Sequence, residues 1–409
     1  MNIAIIGCGA SGLVCASLLK DNGFKINIFE KNNLIGGVWS YSKEGVIYDS
    51  LVTNLPKTIM QFSDKYKFKG KTDDSFVSYK EVFNYLEEFY NENELYKFVN
   101  FNSEVKKIYK EDKKWIVEYN FCNNKFVNRY DSVIVCNGHY KKPVIPNINR
   151  IDLYKGEVLH SAKYDSHLNY KFAGKNVAVI GTGPSASDVA RLIKNLSNCV
   201  YIIDRSLKPN DIGYKSDDNK LISVCNLDKI SGDYELTLVN NKKIYVDFII
   251  CATGYDYDFP FLDKKYISYD NGAVKPLYQH LFYAHDPTLC FVGLPHPVIP
   301  FFMSFLQSNW IVSVLKNNNL PNKTERLKWI KNYESNLVKN NISSRKYHNM
   351  QTSQFEYYRM IAREANILDL EFSKYIDETE YIYKKNLEKM PKYAGCDDNF
   401  RKINYKRSE

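Results

Sequence analysis

The sequence predicts an α/β fold built on two Rossmann-like dinucleotide-binding domains. Three observations carry this: two glycine-rich turns, each preceded by a short β-branched run, and a charged residue closing the strand that follows each turn. In the first, residues 3–6 read Ile-Ala-Ile-Ile, as expected of a parallel strand buried on both faces. Gly7, Gly9 and Gly12 follow in Gly-x-Gly-x-x-Gly register, with Ala10 and Ser11 completing the turn. Gly7 makes the tight turn, Gly9 lets backbone approach a pyrophosphate, and Gly12 lets the next helix lie close on the strand. The helix predicted over 13–20 offers its N-terminal N–H groups to the phosphates. An apolar N-terminus also suggests a secretory signal, but that needs a basic n-region, and no Lys or Arg precedes Lys20. A second strand, Lys25–Phe29, ends at Glu30, close to the spacing of about 20 residues at which an acid binds the ribose hydroxyls.

The second turn lies in GKNVAVIGTGPSASDVARLIKNL. A strand over Asn176–Ile180 leads into Gly181, Gly183 and Ser185, with Ala186 as the tolerated small residue in the third glycine position. The next strand ends at Asp204-Arg205-Ser206. An acid there suits NAD, whereas Arg205 with the Ser206 hydroxyl can hold a 2′-phosphate, so NADPH is the favoured ligand. Between the turns the pattern predicts a helix over 79–90, a hairpin-like meander over 101–119, a strand over 132–136 and a Pro-rich linker over 141–148. Beyond the second turn come short strands over 217–250, a buried strand in FVGLPHP and a mostly helical remainder from Ile299.

Composition narrows the class. The chain has 409 residues, 44% hydrophobic and 25% charged, enough for two or three domains with sizeable cores. The net charge of +9 is scattered among Asn and Tyr rather than gathered in a stripe, which argues against a nucleic-acid partner. Nine cysteines lie far apart with no C-x-x-C, so reduced thiols in a cytoplasmic setting are expected rather than a disulfide framework. No run approaches the roughly 18 apolar residues of a membrane span. No His, Cys and Asp set has metal-ligand spacing.

Five further stretches resemble the flavin-containing monooxygenases. They are EKNNLIGGVW, TNLPK, YKGEVLHSAKY between the turns (with Gly156, His160 and Tyr164 in register), CATGY, and Gln307-Ser308-Asn309-Trp310. The resemblance implies that an NADPH domain is inserted into a split FAD domain, with limits of 1–160 and 275–409 for FAD and 161–274 for NADPH. It implies an FAD-dependent, N,N-dimethylaniline-type monooxygenase: NADPH reduces FAD, O₂ adds at the flavin C4a, and the hydroperoxide oxygenates a small amine, sulfide or thiol. Asn54 falls on the family's active-site asparagine; alone, it would read as an Asn before the turn at Pro56. Gly37, Val38 and Trp39 fall beside the flavin, Val105 where backbone meets adenine, and Gln307 near the flavin. For His160 a junction role is expected rather than proton transfer. Two rival activities stay open: an NADPH oxidase releasing peroxide, and a Baeyer–Villiger ketone monooxygenase, towards which Asp165 after Tyr164 leans slightly. A homodimer is also left open.

Overall fold

The computed structural model describes residues 1–42, 45–69, 74–211, 213–390 and 398–407. Strand β1 (Asn2–Ile6) enters helix α1 (Ala10–Asp21), and β2 (Lys25–Phe29) follows. Helix α1 starts three residues earlier than predicted because Gly9, extended at φ −80°, serves as its N-cap. Helix α2 (Tyr79–Glu92) opens on a capping box, in which Ser78 and Glu81 each satisfy the other's backbone N–H. Then come β3 (Val99–Asn100), a three-stranded antiparallel meander over residues 104–130, and β4 (Ser132–Val135).

The second unit begins with β5 (Glu157–His160) and β6 (Asn176–Ile180), followed by α3 (Pro184–Lys194), β7 (Cys199–Ile203), β8 (Leu221–Val224) and β9 (Phe248–Cys251). The chain then returns through β10 (Leu277–Tyr278), β11 (Phe282–Tyr283) and β12 (Leu289–Phe291) to helices α4 (Pro300–Asn317), α5 (Lys323–Lys339), α6 (Gln354–Glu364) and α7 (Leu370–Lys389).

Two sheets organise these elements. The first has the order β10-β11-β12-β4-β1-β2-β3, parallel from β12 onward. The second has the order β8-β7-β6-β9-β5 and is parallel throughout. The fingerprint strands pair alike: Asn2 to Ile6 lie opposite Lys25 to Phe29, and Asn176 to Ile180 opposite Cys199 to Ile203. The first sheet is covered by α1, α2, α4, α6 and α7 on one face and by the meander and residues 257–274 on the other.

That last segment departs from the expected division. Tyr257, Phe259, Phe261 and Val274 pack in the first unit's core, although a limit at 274 puts them in the second. Conversely, β5 lies in the second sheet, although a limit at 160 puts it in the first. The physical boundary is where the chain crosses. Lys142–Pro143 on the way out pairs with Tyr255–Asp256 on the way back, so the Pro-rich linker is half of a two-stranded connection. In FVGLPHP only Phe291 belongs to a strand; Gly293, at φ +86°, turns the chain beyond it. Among the described residues no helix is long and apolar enough to cross a membrane.

Candidate active site

The first glycine turn is shaped by close backbone packing. Gly7 has φ +105°, and a Cβ there would stand 2.6 Å from the Cys136 carbonyl oxygen. A Cβ on Gly12 would stand 2.0 Å from the Gly7 oxygen, so only glycine lets α1 sit this near β1. Gly9 lies against a second glycine turn: Gly36 and Gly37 both have positive φ, and a Cβ on Gly37 would come 3.1 Å from the Gly9 Cα. The Gly36 N–H donates to the Cys8 carbonyl at 2.9 Å, which binds the GGVW stretch to the fingerprint. Val38 and Trp39 follow, half-buried, with Trp39 edge-on to Phe301.

Glu30, 5% exposed, accepts from the Cys8 N–H at 2.9 Å and from the Asn32 N–H at 2.9 Å. It therefore holds the glycine loop in shape, and each carboxylate oxygen keeps a lone pair for a ribose hydroxyl. Burial, with Glu30 beside it, pushes the Cys8 thiol well up, so Cys8 is a small packing residue and not a nucleophile. Ser11 turns its hydroxyl to α4, where Ser304 accepts at 2.9 Å while donating onward to the Pro300 carbonyl. What Ser11 and Ala10 present at the helix start is backbone.

The second turn repeats the design with differences. Gly181 has φ +122°, and a Cβ there would meet the Ala252 oxygen at 2.4 Å. Its N–H donates to the Ile203 carbonyl just as that of Gly7 donates to Phe29. Gly183, the N-cap of α3, is exposed, and a Cβ there would meet nothing within 4 Å. Ser185 is exposed at the helix start, while Ala186 is fully buried. Asp204 is 1% exposed and turned inward, accepting from both the Ser206 N–H (2.8 Å) and the Ser206 hydroxyl (2.7 Å). Arg205 is exposed on the outer side of this turn. The two glycine cradles, each at a helix N-terminus, fit two dinucleotides.

Asn54 lies on a loop held on both sides. The Thr53 N–H donates to the Val77 carbonyl at 2.9 Å, and the Val77 N–H donates back to the Thr53 hydroxyl at 3.1 Å. The Asn54 carbonyl accepts from the Asn386 amide of α7 at 3.1 Å. Among the described residues, the half-buried Asn54 side chain has no hydrogen-bond partner. Trp39 and the flanking Val52 and Leu55 pack against the same core.

Gln307 and Val105 are both engaged in the protein's own packing. Gln307 is wholly buried; its oxygen accepts from the Gly293 N–H at 2.9 Å and its amide donates to the Tyr357 hydroxyl at 3.1 Å. It fixes the Gly293 turn to α6 and presents no surface to a ligand. Val105 has its side chain in the core, beside a register shift in its strand that leaves the backbone irregular there.

The junction signature has a plain physical reading. A Cβ on Gly156 would collide with the Tyr154 ring at 2.4 Å and the Asp247 oxygen at 2.5 Å, so this glycine makes room for that aromatic. His160 is buried: Nε2 donates to the Gly254 carbonyl and Nδ1 accepts from the Ala162 N–H, both at 3.1 Å. Desolvation lowers its pKa, and with both nitrogens engaged it is a neutral structural link. Tyr164 packs edge-on against Tyr48 of the first unit, with ring centroids 5.6 Å apart.

Asp188 is a residue whose importance sequence reading missed. Buried on α3, it accepts from the Tyr48 hydroxyl at 2.8 Å and from Arg401 at 3.2 Å. An acid among the small and apolar residues of ASDVA was the available signal.

Comparison with known proteins agrees with this geometry. The flavin-binding monooxygenase-like family profile matches residues 1–208 and 223–373. The flavin-containing monooxygenase FMO GS-OX5 of Arabidopsis thaliana is 32% identical over 89% of this chain and 84% of its own length. A second Arabidopsis protein, FMO GS-OX-like 7, is 33% identical over similar shares, 89% and 84%. The structure of S-allyl-L-cysteine S-oxygenase from Allium sativum superposes with a TM-score of 0.87 at 30% identity, covering 98% of this chain and 96% of that one. Tmm from a Pelagibacter strain shares the fold, with a TM-score of 0.80 at 23% identity. With two Rossmann-type units and a family match over most of its length, the chain belongs to the flavin-binding monooxygenase-like family, whose cofactors are FAD and NADPH.

Proposed function

We propose that the protein is an S-oxygenase, converting the thioether sulfur of a small molecule to a sulfoxide with NADPH and O₂. The overall reaction is R₂S + O₂ + NADPH + H⁺ → R₂SO + H₂O + NADP⁺. The observation that carries this choice over amine oxygenation is the near full-length match to the S-allyl-L-cysteine S-oxygenase. When bound, FAD supplies hydride acceptance from NADPH and activation of O₂.

The chain's own residues supply orientation and a dry setting. Gly7, Gly9, Gly12 and the α1 N-terminus, through Ala10 and Ser11 backbone, hold the FAD pyrophosphate; Glu30 takes a ribose hydroxyl; backbone near Val105 meets the adenine. Gly37, Val38 and Trp39 line the flavin side. Gly181, Gly183 and Ser185 at the start of α3 hold the NADPH pyrophosphate, and Arg205 its 2′-phosphate; Ser206, expected beside Arg205, instead gives both its N–H and its hydroxyl hydrogen to Asp204 and orders the turn. Inward-turned Asp204 supports that reading, because its charge is spent on Ser206 rather than offered to a ribose. The uncommitted amide of Asn54 donates to oxygen at the reacting centre while carrying no charge. Eight described cysteines are free, which suits the cytoplasm.

Purified enzyme given NADPH and S-allyl-L-cysteine should form one sulfoxide per NADPH oxidised, with little peroxide. Peroxide in stoichiometric amount and no sulfoxide would make it an oxidase. Preferential oxidation of trimethylamine, or lactone formation from cyclohexanone, would move the substrate class to amines or ketones.

A further inference from the structure

The loop that carries Asn54 is held largely by residues from the far end of the chain. The carbonyls of Val52 and Thr53 accept from Arg401 (3.4 and 3.0 Å), that of Asn54 from Asn386 (3.1 Å), and that of Thr58 from Arg407 (3.1 Å). Residues 398–407 are anchored beside this loop, with Phe400 and Tyr405 edge-on to Phe76 and the Tyr405 N–H donating to the Ser75 hydroxyl at 2.6 Å.

Arg401 reaches furthest. Its Nε donates to the Thr53 carbonyl, while one terminal nitrogen donates to both oxygens of Asp188, each at 3.2 Å. Asp188 sits on α3, whose N-terminus faces the NADPH site, and Tyr48 donates to it as well. The side chains of Arg401 and Asp188 are 9% and 10% exposed. A buried ion pair adds little stability over a well-packed apolar pair of the same volume, because desolvation offsets the attraction. It does impose direction and distance, since guanidinium donors have a fixed geometry. This pair joins the Asn54 loop to the nicotinamide-cofactor helix across the boundary between the two units.

We infer that Arg401 is a positioning residue: bridging the Val52–Thr53 peptides and Asp188, it sets the placement of the NADPH helix relative to Asn54 and hence of the nicotinamide relative to the flavin. The inference rests on the reading of Asn54 and the two cofactor sites given above. A misplacement of about 1 Å can cost about 100-fold in a transfer step, so a loosened bridge acts on rate before it acts on binding.

The test is anaerobic stopped-flow reduction of the full-length, FAD-loaded enzyme by NADPH, with sulfoxide and peroxide yields measured in parallel. Arg401→Gln should lower the limiting rate of flavin reduction about ten-fold or more, with the NADPH Kd changed less than about three-fold. Flavin content per chain should stay at the wild-type value. Arg401→Lys should recover part of the rate, and Asp188→Asn should match Arg401→Gln. Combining the two should cost less than the sum of the single losses, because both remove the shared Arg401–Asp188 contact. Should Arg401→Gln fail to fold, Arg401→Lys and Asp188→Asn carry the same measurement. A wild-type limiting rate in the folded variants, or a loss matching lost flavin alone, would overturn the inference. Wild-type enzyme releasing only peroxide would instead overturn the S-oxygenase reading, and the reduction rates would still decide the role of Arg401.

Discussion

Gly9 and Gly183 hold the same place in two copies of one turn, yet their surroundings are opposite. Gly9 lies under the Gly36–Gly37 turn, beneath a helix buried between the sheet and α4, and the acid behind it grips the loop from below. Gly183 is exposed, with open space around the position of its missing side chain, and the acid behind it accepts from Ser206 in its own turn. The same strand–turn–helix unit is thus closed over in one copy and left open in the other. That is the arrangement expected where one dinucleotide stays and the other comes and goes.

Substitution at the glycines separates the two turns most strongly. Gly12→Ala should abolish flavin retention, since its methyl group would stand 2.0 Å from the Gly7 oxygen and drive α1 off β1. Loss of the yellow absorbance of the purified protein is the measurement, and a flavin-loaded variant would refute the tight-packing account. Next in size, Arg205→Ala should raise the KM for NADPH about 10- to 100-fold while leaving NADH nearly unchanged, given about 1.5–3 kcal/mol for hydrogen bonds to a charged group. Equal loss with both cofactors would remove Arg205 from the 2′-phosphate site. Gly183→Ala should keep flavin and melting temperature but raise the KM for NADPH several-fold, because the added methyl enters only ligand space. A fall in melting temperature would mean that the second turn is as tightly packed as the first.

A last effect concerns pH and belongs to the first unit. Burial lowers the pKa of His139 to about 4 and that of His280 to about 3, and burial also lowers His348. These histidines stay neutral in the folded protein, whereas unfolded histidine takes up a proton near pH 6.5. The unfolded state therefore binds more protons below about pH 6.5. Stability is level above that point and falls by roughly 1 kcal/mol per histidine over the first pH unit below it, until the folded groups titrate in turn. Thermal melts with flavin release followed by fluorescence at pH 7.5 and 5.5 would register this. Equal melting temperatures would exclude these histidines as a source of acid sensitivity.

Much of the frame was legible because it depends on local patterns. A β-branched run, glycines in register and a charged residue at the next strand end each have a short-range cause, and both β-α-β units formed where they predict. The contacts of Gln307 were not legible for a different reason. A motif within a helix names residues, but not the face each one turns to, and α4 is buried on nearly all sides, so Gln307 points to Gly293 and Tyr357. The domain limits moved because residues 257–274 are apolar enough for either core, and only the paired crossing shows where the chain changes units. Arg401 was invisible because a lone Arg in a polar stretch reads as a solvated charge; its partner stands 213 positions away.

The divided first unit has a consequence for the order in which the protein assembles during synthesis. All five strands of the second sheet emerge within residues 157–251, so that unit holds its complete sheet long before the chain is finished. The first sheet must wait for β10 to β12, and its core for α4 to α7, although its fingerprint leaves the ribosome first. During that interval the unpaired edge of β4 and the apolar side of α1 stay uncovered, a period of exposure to aggregation or to chaperones that ends only when the last helices arrive.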